Sequence, residues 1–283
     1  MRETISLLAV AIVALLASFS ATADDSGKCG MNVEWKIYPT AGNEGYYTLE
    51  ISGHGAMFNY NTQDNRTPME WRQLNVSRII IKEGITYIGN NAFSGSQSLT
   101  SVSFPSTLTV IGTKAFGGCS SLRSVILPKS LKTIGKFAFE DCSSLTSVMF
   151  PNSLTSIGEW AFVGCSSLRS VTLPSSLTSL PEYAFCMCKS LTSITLPSSL
   201  ASIGNGAFSS CYNLKVIKSL RKVAPQCTYA AFPWDTAAGF RSCRLNVPAG
   251  SVASYRSHHA WEWFYKTNKQ TTGNRNRTTR HRR

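Results

Sequence analysis

Nine cysteines, four histidines and fifteen acids are the side chains with which this chain could do chemistry, and their spacing sorts them. Cys119, Cys142, Cys165, Cys188 and Cys211 recur at one interval, 23 residues. A metal site needs ligands converging from different directions, and no histidine lies between His54 and His258. That argues against zinc. A serine or cysteine nucleophile needs a base within hydrogen-bond reach. The bases nearest the end of the repeats are His258 and His259, beside Arg256 and Trp261 in what reads as a surface turn. Glu83, Glu140, Asp141, Glu159 and Glu182 do not recur as the facing pair that would cleave a glycosidic bond. The glycines of Ser52-Gly53-His54-Gly55 are wrongly placed to cradle a phosphate and read as a turn. The expectation is a protein without catalytic residues, cofactor, metal or small-molecule substrate.

The elements that position the cysteines are copies of one phrase. Phe93, Phe116, Phe139, Phe162, Phe185 and Phe208 share the same period, as do Leu99 through Leu214 and Val102 through Ile217, and Pro105 to Pro197 mark one corner per copy. A fixed period in this range means stacked coils. The expected fold is a repeat solenoid, mainly β with short turns and 3-10 segments. In Leu122-Arg123-Ser124-Val125-Ile126-Leu127-Pro128, Leu122, Val125 and Leu127 point inward, and Arg123 and Ile126 point outward. The proline ends the strand because it lacks an N–H. Leu131, Ile134 and Gly135 make a second inward run with a glycine turn, and Phe139 drives a ring into the coil. The many serines read as filler between inward residues.

This framework decides what the cysteines do. Adjacent coils sit about 4.7–4.9 Å apart, inside the Cα range of a disulfide. In-register neighbours point their Cβ atoms the same way, however, leaving them near 5 Å apart instead of about 3.8 Å. Cys119, Cys142, Cys165, Cys188 and Cys211 therefore read as a buried ladder of thiols packing like small hydrophobes. Cys29, Cys186, Cys227 and Cys243 stand outside it. Cys227 and Cys243 bracket a degenerate coil and are the candidate disulfide, worth about 3 kcal/mol by loop closure.

The ends read differently. Residues 1–23 have the layout of a secretory signal: Arg2, an apolar run from Ile5 to Phe19, then Ala21-Thr22-Ala23. Residues 24–78 form an N-terminal β cap, where Val33, Trp35 and Ile37, then Tyr47, Leu49 and Ile51, alternate with polar residues. This hairpin reads as the lid over the first coil, with Trp71 as anchor. Six coils occupy residues 79–218, and residues 219–265 hold the degenerate repeat and an aromatic C-terminal cap. The net charge is +13, but seven positives lie after residue 265, where no acid occurs, leaving +6 elsewhere. Residues 266–283 read as a disordered basic tail, either solvated or a handle for anionic polymer or membrane surface.

The unit L-x-S-V-x-L-P-x-S-L-x-x-I-G-x-x-A-F-x-x-C-S-S, seen in Leu122 to Ser144, resembles the BspA-like leucine-rich repeats. Thr48 to Gly53 with Gly55-Ala56-Met57, and Leu245 to Ser251 with Tyr255 and Trp261, resemble that family's ends. The resemblance implies an exported or surface protein, with family members implicated in adhesion to host proteins such as fibronectin and fibrinogen. It carries no catalytic residues, and the basic tail departs from its pattern.

Function then falls to surfaces. Arg123, Ile126, Met149, Arg169, Thr172 and Thr195 lie on the outward strand row, which reads either as an ordinary solvent face or as a ligand platform. Phe137, Trp160 and Tyr183 stand one coil apart and read either as a cover for the coil edge or as a site for a protein or glycan. The expectation is a secreted or cell-surface, monomeric adhesion-type binder of an extracellular protein, matrix proteins included, or a glycan. The competing expectation is a structural coat component tethered by its tail.

Overall fold

Two short runs of extended backbone per period close each copy into a coil. The computed structural model describes residues 25–60, 71, 74–232 and 243–267. The proposed leader and the tail beyond residue 267 lie outside the described residues. At the front, β1 (Asp25–Lys28), β2 (Val33–Pro39) and β3 (Tyr47–Gly53) form an antiparallel meander. Val33, Trp35 and Ile37 are buried while Glu34 and Lys36 face outward, the alternation of a half-buried strand. After β4 (Gly55–Ala56) come β5 (Val76–Ile81) and β6 (Ile85–Ile88).

The front sheet is more than a lid. β3 pairs parallel with β5, and β5 with Ser101–Ser103, so the meander continues the strand row and satisfies the polar edge of the first coil. β5 straddles the boundary expected after residue 78. Covering the end falls to aromatic rings. Trp71 meets Trp35 and Tyr60 edge-on at 5.6 and 6.1 Å and packs on Phe93 at 6.0 Å. Its Nε1–H donates to the Ala92 carbonyl at 3.1 Å.

Each later coil gives a short strand to a first row: Ser101–Ser103, Ser124–Ile126, Ser147–Met149, Ser170–Thr172, Ser193–Leu196, Val216–Ser219 and Arg244–Asn246. A second row holds Val110–Ile111, Thr133–Ile134, Ser156–Ile157, Ser179–Leu180, Ser202–Ile203 and Gln226–Cys227. Where strands pair the pairing is parallel, with like residues opposite one another (Val125 and Val148, Ile134 and Ile157, Ile194 and Ile217), and the first row is interrupted between Ser101–Ser103 and Ser124–Ile126 and between Ser147–Met149 and Ser170–Thr172. The intervening segments are turns, and a 3-10 helix appears at Tyr229–Ala231 in the degenerate coil.

The second row shows why glycine follows each inward isoleucine. Gly112, Gly135 and Gly158 donate their N–H to Ile88, Ile111 and Ile134 at 2.8–2.9 Å. A Cβ on Gly135 would lie 2.6 Å from the Thr113 nitrogen, and one on Gly158 would lie 2.4 Å from the Lys136 nitrogen. Gly135 thus serves close backbone approach rather than a turn. In the fifth coil Pro181 takes this place, offering no N–H to the carbonyl opposite. There the second row breaks, between Ser156–Ile157 and Ser179–Leu180.

A third ladder is built from left-handed residues. Asn91, Lys114, Phe137, Trp160, Tyr183 and Gly206 have φ of 54 to 63°, and Gly95, Gly118, Asp141, Gly164, Met187 and Ser210 have φ of 51 to 78°. These turns aim N–H groups along the stack. In the second coil, Lys114, Phe116 and Gly118 donate to Lys136, Ala138 and Glu140 of the third at 2.7–2.8 Å. Each left-handed non-glycine costs on the order of 1–2 kcal/mol, offset by a hydrogen bond between coils.

Inside the coils the phenylalanines form one column. Rings from Phe116 to Phe232 stack at 5.2–6.0 Å, within 15° of parallel. The column ends on α1 (Val252–Arg256) and α2 (His259–Thr267). Trp261 and Phe264 meet Phe232 edge-on at 5.1 and 5.6 Å, and the Trp261 Nε1–H donates to the Pro225 carbonyl at 2.8 Å. Lys266 and Thr267, expected in the tail, are the last residues of α2.

Candidate functional site

The thiol ladder is buried, and it does more than fill space. Each Sγ–H donates to a phenylalanine carbonyl of the preceding coil: Cys119 to Phe93, Cys142 to Phe116, Cys165 to Phe139, Cys188 to Phe162 and Cys211 to Phe185, at 3.1–3.3 Å. Burial pushes the Cys119 thiol up to about 12 and raises those of Cys142, Cys165 and Cys188. A nucleophile needs the thiolate, so these sulfurs are structural. No disulfide joins any described cysteines, which corrects the staple expected between Cys227 and Cys243. Cys227 ends the last strand of the second row, whereas Cys243 precedes a first-row strand, so the two belong to different sides of the coil. Aromatic packing, not a covalent bond, closes this end.

Serine has a set role that its abundance concealed. Ser130, Ser153, Ser176 and Ser199 donate to the carbonyls of Leu108, Leu131, Leu154 and Leu177, at 2.5–2.7 Å. Their 23-residue spacing just before each leucine was the available signal, and reading them as filler missed it. His258, the candidate base, has Nε2 3.3 Å from the Gln226 side-chain oxygen and stacks on His259 at 4.9 Å. Burial and the neighbouring His259 lower its proton affinity. Among the described residues no three His, Cys, Asp or Glu side chains group as metal ligands, and no helix is long and apolar enough to cross a membrane.

The aromatic row stacks ring on ring. Phe137, Trp160 and Tyr183 are half-buried and stack at 6.1 and 3.9 Å, within 15° of parallel. Tyr183 lies over Gly206, where an added Cβ would come within 2.2 Å of its Cε1. Trp160 lies between the other two rings, so both of its faces are taken, whereas a sugar stacks on a bare face. This geometry favours a spine covering the coil edge.

The first strand row is the surface left open. Ile126 and Met149 stand directly opposite each other in neighbouring strands, 79% and 75% exposed. Arg123, Arg169 and Thr172 are also exposed, and Thr195 is half-buried. No acid occurs in residues 98–104, 121–127, 144–150, 167–173, 190–196, 213–219 or 243–247. Glu50 lies on β3 at the front of the row and pairs with Lys82, and Glu140 and Glu159 pair with Lys114 and Lys136. A shallow hollow of about 490 Å³ beside this row is lined by Asn43, Tyr46, Ser77, Gln97, Ser98, Thr100, Ser120 and Ser121, and the Tyr46 phenol is its one titratable group.

Comparison with known proteins agrees with this geometry. The BspA type leucine rich repeat region matches residues 70–162 and 132–232, with six copies. No curated protein matches the chain. Among solved structures, it is similar to a leucine-rich repeat protein from T. pallidum at 31% identity, covering 62% of this chain and 86% of that one, with a TM-score of 0.50. It is similar to another from Bacteroides ovatus ATCC 8483 at 31% identity, covering 62% of this chain and 43% of that one, with a TM-score of 0.52. The matched residues hold the phenylalanine column, the thiol ladder and the glycines that set the coil spacing, and on that evidence the chain belongs to the BspA-type leucine-rich repeat family.

Proposed function

We propose that this is an exported, non-catalytic protein that holds an extracellular or cell-surface macromolecule, a matrix protein foremost, against its first strand row. The observation that carries this reading is the side-by-side exposure of Ile126 and Met149, flanked by Arg123 and Arg169 on coil strands that carry no acid. Large apolar side chains exposed together leave hydrophobic surface for a partner to cover, and flanking arginines suit a polar rim. Export is supported by the signal-like layout of residues 1–23.

Solid-phase binding to fibronectin- and fibrinogen-coated wells tests it. Saturable binding should persist in a protein ending at Thr267 and weaken by about tenfold, some 1.4 kcal/mol, in Ile126→Ser/Met149→Ser. Binding that vanishes with the tail would favour a tail-tethered coat component. Binding indifferent to the double substitution would overturn the reading.

A further inference from the structure

One position of the strand row alternates in character: Thr100, Arg123, Thr146, Arg169, Thr192, Lys215. All six side chains are exposed. From Arg123 onward they form one hydrogen-bonded column. The N–H of Thr146 donates to Arg123, Arg169 to Thr146, Thr192 to Arg169 and Lys215 to Thr192, at 3.0, 3.3, 2.8 and 2.8 Å. Successive cations therefore stand two strand spacings apart, about 9.6 Å, with a hydroxyl midway. The hydroxyls are oriented as well. Thr146 Oγ1–H donates to the Arg123 carbonyl at 3.1 Å and Thr192 Oγ1–H to the Arg169 carbonyl at 3.0 Å. Their remaining lone pairs can accept a ligand O–H. Among the described residues, Arg123, Arg169 and Lys215 take part in no ion pair. Arg244 follows Lys215 in the column, its N–H donating to the Lys215 carbonyl at 2.7 Å, so the alternation ends there on two adjacent exposed cations, with the exposed Lys218 further along the strand that follows Lys215.

We propose that this column is a track for a linear acidic polysaccharide bearing one carboxylate or sulfate on every second sugar. The proposal rests on the reading that the strand row is the binding face, and it names the chemistry of a partner. A sugar ring in an extended chain is about as long as one strand spacing, so alternate rings fall on alternate coils. The anion meets Arg123, Arg169 and Lys215, and hydroxyls of the neutral sugar meet Thr146 and Thr192. Other polyanions fit less well. An extended acidic peptide repeats its same-side charges about every 6.8 Å. Single-stranded nucleic acid carries an anion on every unit and uses bare aromatic faces for its bases, which this row lacks.

The test is fluorescence anisotropy with a labelled hyaluronan decasaccharide, whose carboxylates occupy every second sugar, binding to the chain from Asp24 to Arg283. Polygalacturonate of equal length, charged on every sugar, and neutral dextran serve as comparisons. Arg123→Thr/Arg169→Thr installs the residue that alternate coils already carry, so the fold is preserved. A second variant replaces Arg275, Arg277, Arg280, Arg282 and Arg283 by serine to remove polyanion attraction by the tail. The expected result is preference for hyaluronan over both comparisons and a loss of about tenfold in Arg123→Thr/Arg169→Thr, with the preference kept in the tail variant. Equal affinity for the two acidic polymers, binding lost with the tail alone, or no binding would each overturn the polysaccharide track. The coated-well assay of Ile126→Ser/Met149→Ser reads the binding face independently, so failure of one is not failure of the other.

Discussion

The ladder cysteines show how one side chain can serve three demands. Thiol fits a small interior slot, donates one hydrogen bond to a phenylalanine carbonyl, and stays protonated because burial disfavours the thiolate. That last property sets a pH dependence. The thiols of Cys29, Cys119, Cys227 and Cys243 are pushed from 9.0 up to about 12 in the folded chain. Below about pH 9 both folded and unfolded chains keep these protons, and the groups contribute no slope. Above it the unfolded chain loses them first, so stability falls as pH rises toward 12, by about 1.4 kcal/mol per pH unit for each such thiol. Denaturant melts at pH 8, 9, 10 and 10.5 should show a plateau and then a decline, with a shallower decline in Cys119→Ala. An identical decline in that variant would refute the assignment.

At the scale of the element, a coil is defined by how closely its backbone can approach the next. Two glycines separate the reasons for glycine. Gly118 has φ of 75°, and a Cβ there would be 3.6 Å from its nearest neighbour, so Gly118→Ala incurs only left-handed strain, about 1 kcal/mol. Gly158 has ordinary φ, but its Cβ would press within 2.4 Å of the Lys136 nitrogen. Gly158→Ala must push two coils apart and should cost about 3 kcal/mol by urea unfolding. Equal costs would mean that turn conformation, not coil spacing, governs both sites. The isoleucine-glycine pair was legible as a repeating phrase. Its reason was not, because the nitrogen that excludes a side chain from Gly158 lies 22 residues back. The interruption beside Pro181 follows from the same contact, since the missing N–H matters only through the strand opposite.

For the whole molecule, stability is a sum of coils and their contacts with neighbours. Removing residues 142–164 joins Asp141 to Cys165 and recreates the local sequence Glu-Asp-Cys-Ser-Ser. That protein should remain folded and cooperative, with a smaller denaturant m in keeping with the lost buried surface. Removing residues 142–163 instead puts the following register out by one, and should abolish cooperative unfolding. The first deletion also brings Arg123 next to Arg169, one strand spacing apart, and should shift preference toward the polymer charged on every sugar. The period, the inward phenylalanines and the outward strand residues were determined by the sequence alone, because each reports a choice repeated six times in one local environment. Only the tertiary structure decided that the aromatic row stacks ring on ring, that serine and thiol cap carbonyls of other coils, and that Cys227 and Cys243 stand in different strand rows. Those outcomes depend on which atoms the stack brings within about 3–4 Å across its coils, a distance that no spacing along the chain expresses.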